Sequence, residues 1–210
     1  MSRATILLVG AGGHARSCID VIEQEGRYAI SGLVGLTEEL GSRVLGYEVV
    51  GTDQDLPALL HRFDYALITV GQIKSADLRA DLYARVLAAG GKLPVIVSPQ
   101  AYVSAHASIE AGTIVMHGAV VNAGAKVGQN CIVNSKALIE HDASIGDHCH
   151  ISTAAVINGD VWIGERCFIG SNACIRQGAK VAQACVVGMG QRVLDDCAAE
   201  SWVHPRKEWP

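Results

Sequence analysis

Aromatic rings are scarce in this chain: two Phe, three Trp and five Tyr among 210 residues. Half of the residues are nevertheless hydrophobic and only 18% are charged, which excludes a disordered or solvating polymer. Its core must be built from Val, Ile, Ala and Gly. An excess of one charge is also missing: 17 basic against 21 acidic residues give a formal charge of −4 and no broad field for nucleic acid or an anionic membrane. A phosphate-bearing ligand has to be met locally. No apolar run reaches the roughly 18–20 residues of a membrane span. The apolar stretch from Ile6 to Val9 runs into Gly10-Ala11-Gly12-Gly13-His14, which reads as a turn and not as a cleavage region. The seven cysteines are odd in number and form no Cys-x-x-Cys pair, so neither a disulfide framework nor a zinc ribbon is expected, and a cytoplasmic location is.

What the chain has in abundance is a period. Every sixth residue from Val103 to Val193 is Val or Ile, sixteen in succession without a slip. A helix of period 3.6 cannot keep every sixth residue on one face, and an ordinary alternating strand does not select every sixth. Four residues after each of these aliphatics from Val103 to Val181 stands a small side chain, as at Ala107, Thr113, Ala119, Ala125 and Cys131. Branched aliphatics and small residues in this alternation predict a triangular coil with three hexads per turn and stacked short parallel strands. Cys131, Cys149, Cys167 and Cys185 are 18 residues apart and so occupy one inward column on successive coils. They read as small apolar filler rather than as a metal or redox ladder.

Residues 4–97 follow another pattern. Strands are predicted at Ile6–Val9, Ile30–Val34, Ala66–Val70 and Leu93–Val97, with helices from Arg16 to about Glu25, Asp53–Leu60 and Asp77–Ala89. Alternating strands and helices indicate a small parallel α/β sheet. The expected organisation is an α/β domain over residues 1–98, an all-β parallel β-helix over 99–195 and a tail over 196–210. The first strand is followed by Gly10-x-Gly12-x-x-Ala15, where a backbone can approach a phosphate at a helix N-terminus, the alternative being a tight turn with no ligand. Gly35-Leu36 follows the second strand, where a dinucleotide-binding unit carries an acid, so hydride chemistry is not expected.

A short α/β domain opening with Gly-x-Gly-His, joined to an unbroken hexapeptide β-helix that carries Ile139-Glu140-His141-Asp142, resembles the bacterial nucleotide-sugar acetyltransferases over essentially the whole chain. The resemblance implies a left-handed coil, a homotrimer with active sites between subunits, acetyl-CoA as co-substrate and no metal. It implies N-acetylation of a nucleotide-linked 4-amino-4,6-dideoxyhexose for O-antigen or other surface polysaccharide. His141 takes the catalytic position, with Asp142 as its orienting partner in preference to Glu140. His150, Gly159, Ser171, Gly188 and Met189 match acetyl-CoA positions, His150 as a donor to the thioester carbonyl. Gly12, Gly13, His14, Gly71 and Gln72 match the substrate loop, with His14 reaching a phosphate. Asn134 is expected to orient His141 or the amine. Family members using UDP often carry Asp-Asp where this chain has Gly35-Leu36, which makes GDP-linked perosamine the favoured acceptor. The tail lacks the family's usual ending, and Arg206 and Lys207 are its candidates for CoA phosphates.

Four other readings compete. A UDP-linked 4-amino sugar is one acceptor alternative, and sialic acid O-acetylation is another with the same domain order. A zinc carbonic anhydrase on the same β-helix would draw on His117, His141, His148 and His150. A non-catalytic sugar-nucleotide-binding trimer is the last. No Cys stands beside His141 in the hexad register, and Ser135 and Ser144 fall on other corners, so direct attack on the thioester is expected rather than an acyl-enzyme.

Overall fold

The computed structural model of the chain describes residues 3–204. Arg206 and Lys207 lie outside the described residues. The first half is a five-stranded sheet of β1 (Ala4–Val9), β2 (Tyr28–Val34), β3 (Arg43–Val44), β4 (Tyr47–Gly51) and β5 (Tyr65–Ile68), in the order β3-β4-β2-β1-β5. All pairings are parallel except β3 with β4, a short hairpin that the sequence pattern does not indicate. Two-residue β3 is too brief to show an alternation, and Gly46 takes the turn at φ 92°. Helix α1 (Gly13–Glu25) begins three residues earlier than the apolar pattern indicates, and α2 (Leu56–Leu60) is shorter. Helix α3 spans Asp77–Ala88.

From Ile96 onward the chain winds as a three-sided prism of two-residue strands. A first face stacks seven strands from Ile96–Val97 to Trp202–Val203, a second stacks six from Tyr102–Val103 to Arg192–Val193, and a third stacks five from Ser108–Ile109 to Lys180–Val181. Strands pair in parallel with those 18 residues on, as Leu138–Ile139 does with Val156–Ile157, except that Val186–Val187 pairs with Trp202–Val203, 16 residues on. The second residue of each strand points inward and the first outward. The hexad aliphatics from Val115 to Val193 are buried together with the small residues four positions on. The cysteine column lies in this core: Cys131 Sγ donates to Gly146 O at 3.2 Å and Cys149 Sγ to Gly164 O at 3.1 Å, and burial pushes the Cys149 thiol well up. These thiols fill space.

One strand changes allegiance. Ile96–Val97, expected to close the α/β sheet, pairs instead with Ile114–Val115 and starts the first face of the prism. Val97 is six residues before Val103, so it keeps the hexad register, which an apolar run alone does not reveal. The outward column of that face is apolar at Ile96, Ile114 and Ile132, and it packs under α1 against Ala15, Cys18, Ile19 and Ile22. The α/β lobe therefore covers the first face. The middle of the second face's outward column (Val120, Leu138, Val156, Cys174) has no such cover among the described residues and stands half-buried.

Candidate active site

The hexad forces sharp corners, and the corner residue three positions beyond each inward aliphatic from Ile109 to Val187 takes a left-handed conformation. On the edge between the second and third faces that residue is Asp142, at φ 62°, which Asp tolerates better than most side chains. The turn folds its carboxylate back on the preceding side chain, so His141 Nδ1 lies 2.9 Å from Asp142 Oδ2. Both groups are exposed, 57% and 67%. The hydrogen bond to Asp142, and then the charges of Asp142, Glu140 and Asp160, raise the His141 pKa above the ordinary histidine value. A carboxylate only accepts, so Nδ1 carries the proton and Nε2 is left as the basic nitrogen. Glu140 points elsewhere and accepts from Asn122 Nδ2 at 2.8 Å.

Two glycines make room for this pair. A Cβ on Gly159, one coil beyond His141, would lie 2.7 Å from both Cε1 and Nε2 of the imidazole. The vacancy expected to hold a pantetheine arm is thus occupied by the His141 ring itself. A Cβ on Gly124, one coil before Asp142, would collide with the Asp142 carboxylate. Gly124 is absent from the residues that the sequence singles out, although its place 18 residues before Asp142 is a signal that could have found it.

A second cluster lies where the lobe meets the first face. Gly10, at φ 122°, presses against Val70, where a Cβ would come within 2.6 Å of the valine side chain. A Cβ added at Gly12 or Gly13 would meet nothing within 4 Å, so packing does not demand these glycines and the space beside them is open. Gly71 faces His14, its added Cβ being 3.6 Å from the histidine's own. The His14 and His150 rings are 6.4 Å apart. Burial above all pushes His14 down to about 3 and His150 down to about 4, with the positive charge of Arg79 acting in the same direction, so both are neutral at pH 7. His14 Nε2 is buried without a hydrogen-bond partner. Any contact of His14 with a phosphate is therefore made by a neutral ring.

His150 is locked. Its Nδ1 donates to Gln72 O at 2.7 Å, and its Nε2 accepts from Asn134 Nδ2 at 3.0 Å. Neither nitrogen retains a hydrogen to offer an oxyanion, which corrects the donor role expected for it. Asn134 likewise orients His150 and not His141, because it stands on the edge between the first and second faces. Gln72 Nε2 meets Cys167 O at 3.3 Å, so this residue fastens lobe to prism from both its backbone and its side chain. Ser171 pairs with Ser152 at 3.1 Å on the same edge as Asn134, and Gly188 and Met189 follow one coil further. Met189 is 62% exposed.

The expected site residues thus fall into three groups. His141, Asp142 and Gly159 stand on the edge opposite the lobe-covered face. Gly12, Gly13, His14, Gly71, Gln72, Asn134 and His150 gather at the lobe seam, while Ser171, Gly188 and Met189 mark the far side of the second face. Besides Gly124, two residues went unnoticed in sequence. Glu39 folds back through a 3-10 turn so that its Oε2 accepts from Leu36 N at 2.8 Å, which supplies an acid beside Gly35 after all. Arg79 is fully buried at the seam. The histidines considered for zinc are scattered: His117 bridges Ser98 and Asp20, His148 accepts from Asn130, and among the described residues no three His, Cys, Asp or Glu are grouped to hold a metal.

Comparison with known proteins agrees with this architecture. The PglD N-terminal domain model matches residues 5–86, and the bacterial transferase hexapeptide model (six repeats) matches residues 142–177. The acetyltransferase domain of PglB from Neisseria gonorrhoeae, solved in complex with acetyl coenzyme A, is 32% identical, with 93% of each chain covered and a TM-score of 0.84. A variant of perosamine N-acetyltransferase from Caulobacter crescentus, in complex with CoA and GDP-perosamine, is 28% identical over 96% of this chain and 93% of that one, with a TM-score of 0.89. WeeI from Acinetobacter baumannii, 19% identical over 90% of this chain and 94% of its own, with a TM-score of 0.68, shares the fold. No curated protein matches by sequence.

Proposed function

The chain belongs to the left-handed β-helix nucleotide-sugar acetyltransferases with a PglD-type N-terminal domain, and from that premise we propose that it N-acetylates the 4-amino group of a nucleotide-linked 4-amino-4,6-dideoxyhexose. It is an acetyl-CoA-dependent acyltransferase. The observation that carries the reading is the exposed His141–Asp142 pair on the rim of an apolar face that has no cover. The sugar's amine attacks the thioester carbonyl, its proton passes to His141 Nε2, the carbon–sulfur bond breaks and the sulfur leaves as the thiol after protonation. Asp142 holds the tautomer and stabilises the imidazolium. The transfer is direct, within a ternary complex.

Within one chain the Gly-rich turn and His141 are on opposite sides of the prism. A sugar nucleotide held by one lobe accordingly reaches the imidazole of a neighbour. The second face favours this arrangement: its outward column is apolar from Val120 to Cys174, one of its edges carries His141 and the other carries Asn134, Ser171 and Met189. Three prisms packed side by side through this face bring unlike edges together around a closed threefold axis. The coenzyme lies in that groove, against Ser171, Gly188 and Met189. The crevice at the strand ends, flanked by Gly12, Gly13, His14, Gly71 and Gln72, takes the nucleotide.

GDP-perosamine is the favoured acceptor, supported by the ligand of the Caulobacter relative. The product belongs to O-antigen or related polysaccharide assembly in the cytoplasm. No helix among the described residues is long and apolar enough to cross a membrane. The test is a panel of UDP-, GDP- and dTDP-linked 4-amino sugars with acetyl-CoA, following thiol release. Acceptor-dependent release with one nucleotide-linked amine is expected. Release with free sialic acid and with no nucleotide-linked amine would overturn the reading.

A further inference from the structure

Four buried side-chain polar atoms lack a partner among the described residues, and three of them, His14 Nε2, Gln72 Oε1 and Arg79 Nε, belong to the lobe seam. Arg79 is the most unusual of these residues. It is 1% exposed, and no carboxylate pairs with it among the described residues. Its guanidinium is held by neutral oxygens alone: Nη1 donates to Ile68 O at 3.1 Å and Val70 O at 2.6 Å, and Nη2 to both Asn130 O and Asn130 Oδ1 at 2.9 Å. A buried cation without an anion is costly, and carbonyl dipoles offset that cost only in part.

The place of this charge says where an anion belongs. Val70 packs directly on Gly10, and Thr69 Oγ1 donates to Gly10 O at 2.7 Å, so the guanidinium sits one backbone layer beneath the Gly-rich turn. Above the turn is the open space beside Gly12 and Gly13 at the N-terminus of α1. Low-dielectric walls between the two carry the field of a buried charge with little screening. The charge of Arg79 is felt at both His14 and His150.

We propose that Arg79 is a positioning residue for the substrate diphosphate: from beneath the turn, without touching the ligand, it supplies the fixed positive charge that the phosphates neutralise. This rests on the nucleotide-sugar reading and adds a buried electrostatic source beneath the turn to the exposed Arg16 in the first turn of α1, since His14 is neutral. The competing role is a clamp between lobe and prism, given the 51 residues that separate Arg79 from Asn130.

The two roles part in binding ratios. Calorimetry of the full chain with GDP and UDP, and with guanosine and uridine, gives the preference for diphosphate over nucleoside. Arg79→Met is expected to reduce that preference about tenfold or more, and Arg79→Lys to keep most of it. Should Arg79→Met not fold, Asn130→Asp tests the same point: it places a carboxylate against Nη2, at a φ of 52° that Asp accepts, and so gives the cation a protein counter-ion. Its preference for diphosphate is expected to fall about tenfold while the fold persists. A folded Asn130→Asp protein with an unchanged ratio would overturn the proposal, because a clamp alone changes melting and not the ratio. Wild-type protein that binds none of GDP, UDP and dTDP would overturn the nucleotide-sugar reading as well.

Discussion

Gly159→Ala is the most informative small change in the site. The added methyl would lie 2.7 Å from Cε1 and Nε2 of His141, where ordinary contact begins near 3.4 Å, so the ring must retreat by about 0.7 Å. Its neighbour is an exposed side chain, free to rotate, and the fold absorbs the change with a stability loss under about 0.5 kcal/mol. The hydrogen bond from Nδ1 to Asp142, 2.9 Å long, is lost in the rotation. Misplacing a base by close to an ångström costs up to about 10²-fold in rate, and we expect kcat to fall ~10- to 100-fold with KM for the sugar nucleotide unchanged. Steady-state thiol release with each substrate varied in turn is the assay. If kcat holds and only KM for acetyl-CoA rises, then Gly159 serves the coenzyme arm and does not set the place of the His141 ring.

Asp142→Asn removes the chief cause of the raised His141 pKa, so the acidic limb of the kcat/KM–pH profile should move to lower pH while the plateau falls about tenfold or more. A limb that stays in place would show that another group titrates there. His14 and His150 remain neutral in the fold but accept protons below about pH 6.5 once unfolded, so their contribution is intact above that pH and is lost as pH falls toward about 4. His150 alone accounts for roughly 3 kcal/mol, and urea midpoints at pH 7 and 4.5 should show a larger drop for wild type than for His150→Asn. Leu138→Asp places a charge in the apolar column of the second face and, if the proposed trimer forms through it, should lower the mass seen by light scattering from three chains to one, with acetyl transfer lost together with assembly.

The prism was legible because its signal is one-dimensional: an aliphatic every six residues fixes coil length, inward column and the surface position of His141 at once. Asp142 as partner followed from adjacency and the corner turn. The β3–β4 hairpin was not legible, since two residues such as Arg43-Val44 carry no period. Ile96–Val97 reads equally well as the last strand of one sheet or the first of another. Contacts across long separations were hidden for the same reason. Asn134 meeting His150 depends on which prism edge each occupies, and the tautomer of His150 depends on Gln72, 78 residues away. Arg79, in an amphipathic helix, reads as a solvated charge until α3 is seen against the prism.

Turnover of the His141→Asn protein at neutral pH, with acetyl-CoA and the nucleotide-linked amine that the wild type prefers, measures the central claim most directly. A base at this position requires a loss of ~10²-fold or more in kcat with a melting temperature close to wild type, as fits an exposed side chain. Near-normal turnover by the folded variant would contradict it and leave the imidazole no part in the transfer of the proton.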